Sequence, residues 1–85
     1  MDKDRIRCNS ISYRQGYIEI QANIHPGCIN LEAWNVGSEF DIADPDALSA
    51  LPGEAITGNI ELELSVPEAE QLIKALQERI QEVGA

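Results

Sequence analysis

Three sets of residues carry side chains that chemistry commonly uses. The first is the "HPGC" stretch, where His25 and Cys28 stand close together and Cys8 is the only other thiol. An imidazole and a thiolate can ligate zinc, or act as base and nucleophile. Zinc sites pair their ligands at spacings such as C-x2-C or H-x3-H, and this chain offers no fourth ligand. A tight turn also lacks a cleft that excludes water and shapes an oxyanion hole. The stretch therefore reads as a turn, with both cysteines free and no catalytic residue. The second set is Asp41, Asp44 and Asp46 in "DIADPD". It lacks the glycine and the closing glutamate of a calcium loop. Helix capping is expected there, and weak metal binding is the alternative. No glycine-rich phosphate loop occurs, and no cofactor is expected.

The third set is the glutamates of "IELELS", residues 60–65. Ile60, Leu62 and Leu64 alternate with Glu61 and Glu63, so the acids share one face of a strand. Acids so placed call for lysine or arginine opposite them. Between residues 15 and 73 the chain has eleven acids and no lysine or arginine. The bases are Lys3, Arg5, Arg7 and Arg14 near the start, and Lys74 and Arg79 near the end. The net charge of −9 repels nucleic acid and anionic lipid and attracts basic proteins. Solubility alone is the plain alternative.

The elements that must position these groups are legible from periodicity. The 85 residues are expected to form one domain, 1–85. "RIRCNSISY" (5–13) reads as a strand. "YIEIQANI" (17–24) alternates, with Ile18, Ile20, Ala22 and Ile24 on one face and Tyr17, Glu19, Gln21 and Asn23 on the other. "RQG" between them fits a three-residue hairpin loop. Pro26–Gly27 suits a type II turn into "INLEAWNV" (29–36). Pairing Ile24 with Ile29 sets Ala22 opposite Leu31, Ile20 opposite Ala33 and Glu19 opposite Trp34. Pairing Tyr13 with Tyr17 sets Ile6 opposite Ile24, and Cys8 opposite Ala22 on the inner face. Cys28 then sits exposed at the turn. Residues 37–57 read as an acidic connection with a short helix, started by Asp44 as N-cap and Pro45. "SVPEAEQLIKALQERIQEVG" carries a capping box, Ser65 with Glu68, and an apolar stripe of Ala69, Leu72, Ile73, Leu76, Ile80 and Val83. The predicted fold is α+β: about four mainly antiparallel strands packed on one C-terminal helix.

This arrangement leaves the outer sheet face with Ile11, Tyr13, Tyr17, Trp34 and Val36 near one end. Glu19, Glu32, Glu61 and Glu63 lie around them. Large exposed apolar patches mark contacts, so something should cover the cluster. Residues 37–57, with Phe40 and Leu48, are one cover, and a second copy of the chain is another. A basic partner protein is the third, and it would set its Lys and Arg against Glu61 and Glu63. On that reading Tyr13, Tyr17, Glu19, Glu32, Trp34, Glu61 and Glu63 form the partner-binding surface, with aromatic anchors inside and charge at the rim.

The words "LSVPEAEQLIKALQERI" resemble the ends of small phage and prophage accessory proteins, which run from a strand through "S-x-P-E-A-x-x-L" into a helix. The resemblance implies a mobile-element origin and assigns no activity. Together with charge and size it suggests a non-catalytic inhibitor of the anti-CRISPR or anti-restriction type, occupying a basic nucleic-acid-binding surface of a host protein. An immunity protein against a basic toxin would look alike, and a small homodimeric accessory protein is the alternative class. No apolar run reaches the roughly 20 residues of a membrane span, and "MDKDRIRCNS" has no secretory apolar core. The cytoplasm, of the producing or a host cell, is the expected compartment.

Overall fold

The alternation of "YIEIQA" is realised as a strand in an antiparallel meander. A computed structural model describes residues 3–44 and 47–84. The strands are β1 (Lys3–Cys8), β2 (Gln15–Ala22), β3 (Ile29–Val36) and β4 (Ile56–Leu64), in the spatial order of the chain. A four-residue helix, α1 (Ala47–Ala50), lies in the β3–β4 connection, and α2 (Val66–Gly84) follows β4 after the single residue Ser65. The class is α+β, as the periodicity implies.

Both hairpin registers differ from those the sequence suggests. Lys3 pairs with Gln21, Ile6 with Ile18 and Cys8 with Gly16. The run "SYR" is not strand but a 3-10 turn closed by the Arg14 N–H donating to the Ile11 carbonyl, so β1 ends at Cys8. In the second hairpin Ala22 pairs with Ile29, Ile20 with Leu31 and Tyr17 with Trp34, a slip of two residues. Asn23 causes it. Its φ of 61° stops the strand, and its Oδ1 accepts from the Gly27 N–H at 3.1 Å. Asparagine tolerates that left-handed backbone. The inferred turn survives inside the longer loop: Gly27 has φ 80° and the Cys28 N–H donates to the His25 carbonyl.

A slip by an even number of residues, six in the first hairpin and two in the second, preserves which side chains share a face. One face carries the cross-strand rows Ile6–Ile18–Ala33–Ile60 and Asp4–Ile20–Leu31–Leu62. The other carries Arg5–Glu19–Glu32–Glu61 and Arg7–Tyr17–Trp34–Asn59. The core lies on this second, mixed face. Residues 37–44 and 47–55 fold over it as a strap. Ile42 and Ala55 join Tyr17 and Val36 in the buried cluster, with Trp34, Phe40, Leu48, Leu51 and Ile56 packed around them. A bulge at Asn35/Val36 sets Ile56 opposite Val36, which turns Ile56 toward the strap. Burying Tyr17 and Ile42, at 2% and 1% exposure, contributes about 2–3 kcal/mol each.

Helix α2 forms where the capping box places it. The Ser65 N–H donates to Glu68 Oε1 at 2.8 Å, and the Glu68 N–H donates to Ser65 Oγ at 3.3 Å. The sequence leads one to expect its apolar stripe on the sheet. Within one chain the stripe is open instead: none of its residues is buried, and β4 is its main neighbour. The reason is the junction. Strand-to-helix loops usually need about 2–6 residues to reverse direction, and Ser65 alone provides one. Gly84 is the last described residue of the helix. The start signal proposed for α1 falls partly on Pro45 and Asp46, outside the described residues.

Candidate interaction surface

The strap decides the fate of the aromatic cluster. It is gripped through its backbone oxygens by three side chains from the sheet. Gln15 Nε2 donates to the carbonyls of Gly37 and Phe40, at 2.8 and 2.7 Å. Tyr17 Oη donates to the Asp44 carbonyl at 3.4 Å, and an Arg7 guanidinium nitrogen donates to the Ala43 carbonyl. Beneath the strap, Glu19 is 5% exposed and hydrogen-bonded on both sides. Arg5 Nε donates to Oε2 at 2.8 Å and Trp34 Nε1 donates to Oε1 at 2.9 Å, while Lys3 Nζ lies 3.8 Å away. Burial pushes the Glu19 carboxyl pKa up. The bonds from Arg5 and Trp34 and the charges of Lys3 and Arg5 outweigh that, and hold it below the usual carboxylate value.

The seven residues expected to form a partner site are therefore divided. Tyr17 and Glu19 are internal, and Trp34 is half-buried with its indole nitrogen committed to Glu19. None of the three is a free anchor. Tyr13 is 73% exposed on the 3-10 turn, away from Tyr17 in register, and Ile11 lies on the same turn. Glu32 stands directly opposite Glu61, and its Oε2 accepts from Asn59 Nδ2 at 3.1 Å. Glu63 stands opposite Asn30, with His25 Nδ1 3.4 Å from its Oε1. Among the described residues, the basic side chains on this face belong to β1 and are spent on Glu19 and the strap.

The larger open surface is the face that the sequence assigned to the core. Ile6, Ile60 and Leu62 are each about half exposed, and Ile18, Ile20, Leu31 and Ala33 between them are only partly buried. No described element lies across them. Toward one end the side chains shrink to the row Cys8–Gly16–Asn35–Gly58, leaving a shallow hollow of about 360 Å³. Gly16 is required there, because a Cβ would sit 1.8 Å from the Trp34 carbonyl oxygen. Asp4 is the one charged residue in these rows. The helix presents a second apolar surface, with Ile73 and Leu76 at 54% exposure and Ile80 at 67%. The signal that would have found this arrangement is in the sequence. The connection 37–55 holds Phe40, Ile42, Leu48, Leu51 and Ala55, too many apolar residues for a solvated loop.

Both cysteines are free and half-buried: Cys8 faces Gly16 rather than Ala22, and Cys28 is less exposed than a turn tip implies. Among the described residues no group of three or more His, Cys, Asp or Glu side chains is gathered to hold a metal ion, Asp46 lying outside them. No helix among them is long and apolar enough to cross a membrane. Compared with known proteins, the chain matches no family model, no curated protein and no solved structure.

Proposed function

We propose that this chain is a non-catalytic protein-interaction module whose working surface is the bare apolar face of the sheet together with the stripe of α2. The observation that carries this is the pair of uncovered apolar surfaces in a chain whose mixed face is already closed by its own strap. Contiguous apolar area of this kind is a contact surface in folded proteins. The two carboxyls with lowered pKa, Glu19 and Glu68, are both held by structural partners, the strap network and the helix cap. That pattern belongs to architecture rather than to acid–base chemistry. In-cell cross-linking tests the reading. Wild-type chain should appear in complexes above its own 9.4 kDa, and Leu31→Asp at the centre of the apolar face should not. Equal, monomeric behaviour of both would overturn it.

A basic partner on the opposite face is a second reading, favoured by the Glu32–Glu61 pair. Like charges directly opposite one another destabilise a sheet unless a cation meets them. An inhibitor of the phage type, seated on a basic nucleic-acid-binding surface, would supply that cation from its target. Its anchors would then be Glu32, Glu61 and Glu63, because Tyr17, Glu19 and Trp34 are engaged internally. Glu61→Lys with Glu63→Lys should slow association with such a target and flatten its salt dependence. Unchanged association would remove this reading.

A further inference from the structure

We infer that the occupant of the apolar face is a second copy of this chain, with α2 of each protomer laid across the sheet of the other. The inference rests on the interaction-module reading above and names its partner. The first support is that the two bare surfaces are complementary in kind and number. Each chain has one apolar stripe and one apolar face, so two copies satisfy both and leave neither over. Reciprocal exchange between two copies closes both contacts within a two-fold pair.

Dimensions agree. Nineteen residues of α2 make a rod about 28 Å long, and the eight residues of β3 run about 27 Å. Four strands set their outer axes about 14 Å apart, a width that one helix about 10–12 Å across covers. The small-residue row Cys8–Gly16–Asn35–Gly58 gives that helix room for close approach at one end of the face.

Area agrees as well. The chain exposes 6198 Å², whereas a compact monomer of this mass exposes about 5,000 Å². The excess of about 1,200 Å² per chain becomes about 2,400 Å² for a pair, within the range of obligate homodimers. The radius of gyration tells the same story: 14.3 Å, against about 12 Å for a compact chain of this length.

Two further features separate exchange between copies from the helix folding back on its own sheet. The junction is one residue long, and Ser65 is fixed by hydrogen bonds in both directions with Glu68. It is a rigid joint that directs α2 away from its own sheet, toward another. The meeting surface of the sheet carries little charge. Glu19, Glu32, Glu61 and Glu63 lie on the far side of the sheet, and the rows that meet the helix contain Asp4 alone. On α2, Arg79 is paired with Glu82 at 2.5 Å beside the stripe.

The test uses the full chain. Sedimentation equilibrium at micromolar concentration should give twice the 9.4 kDa chain mass. Leu76→Asp and Leu31→Asp should each return the monomer while keeping the native Trp34 emission, since neither residue belongs to the strap core. For the geometry, Cys8 and Cys28 are replaced by serine, and chains carrying Leu76→Cys are mixed with chains carrying Leu31→Cys. Oxidation should join one of each kind. Leu76→Cys chains that join to one another, or a chain carrying both changes that closes internally, would overturn the exchange. A monomer that nevertheless captures a foreign protein through Leu31 overturns this inference and leaves the interaction-module reading standing. A monomer that captures nothing overturns both.

Discussion

Replacing Glu19 by glutamine removes the one buried carboxylate of the mixed face without changing its shape. In the wild type that carboxylate accepts from Trp34 Nε1 and Arg5 Nε at 2.9 and 2.8 Å. A hydrogen bond to a charged acceptor is worth about 1.5–3 kcal/mol. The Trp34 bond deserves most of that value, because the indole is half-buried under the strap and cannot turn to water. The Arg5 side chain is 35% exposed, so its share falls to about 0–1 kcal/mol. Glutamine keeps one acceptor for the indole but sets its own N–H groups against those of Arg5. The expected loss at pH 7 is about 2 kcal/mol, read from urea unfolding at fixed protomer concentration, since association shifts apparent stability. The pH dependence follows from the direction of the shift. The folded carboxyl titrates below its ordinary value of 4.5. Its stabilisation is therefore complete above that value and disappears as pH falls through the lower folded pKa. Wild type and variant should converge in acid, where both side chains are neutral. A loss below about 0.5 kcal/mol, or a gap that stays constant into acid, would refute the network as described.

Other positions give sharper contrasts. Gly16→Ala places a Cβ 1.8 Å from the Trp34 carbonyl oxygen, so it should cost more than about 3 kcal/mol, whereas Gly58→Ala, whose nearest neighbour is Asn35 Cβ at 3.5 Å, should be tolerated in the same thermal-unfolding assay. Gln15→Ala frees the carbonyls of Gly37 and Phe40 and should cost about 2 kcal/mol, with faster amide exchange across the strap. Ser65→Ala should cost about 1 kcal/mol and fray the first turn of α2 in circular dichroism. Glu68 should titrate below 4.5 in wild type, held down first by the Ser65 N–H and then by its hydroxyl, and move up part-way in that variant. The cap's contribution is present above 4.5 and lost as pH falls through the Glu68 value, as carboxyl NMR would show.

Alternation in "YIEIQA" and "IELEL" made the strands and their two faces legible, and the capping box with its stripe made α2 legible. What periodicity could not supply is the cover for each face. The Ile-rich face looks like the core on hydrophobicity alone, yet the chain closes the face carrying Tyr17, Glu19 and Trp34 and leaves the other open. Tyrosine and tryptophan make that possible because each buries a large ring and still satisfies its polar tip. The hairpin registers were missed for a related reason. Slips by an even number of residues, six in the first hairpin and two in the second, cost alternation nothing, and only the backbone of Asn23 and the 3-10 turn at Ser12–Arg14 fix the true pairing. The bulge that turns Ile56 inward leaves no mark in a pattern of period two. Of the seven residues in the partner surface inferred from sequence, six share the mixed face and Tyr13 sits on the 3-10 turn, while Tyr17, Glu19 and Trp34 are engaged within the chain.

The grip on that strap has a consequence for how freely its sequence can drift. Gln15, Arg7 and Tyr17 hold it by main-chain oxygens, which every residue type provides, so the grip does not read the identity of the residue it holds. What the sheet demands of the strap is Ile42 and Ala55 in the core and the apolar side chains of Phe40, Leu48 and Leu51 packed against it. Exposed positions such as Ser38, Ala50 and Glu54 are free to change chemistry while the backbone keeps its path. The molecule thus carries a substitutable outer layer over a sheet that does not have to change with it, and new surface specificities can be written there at little cost to the scaffold.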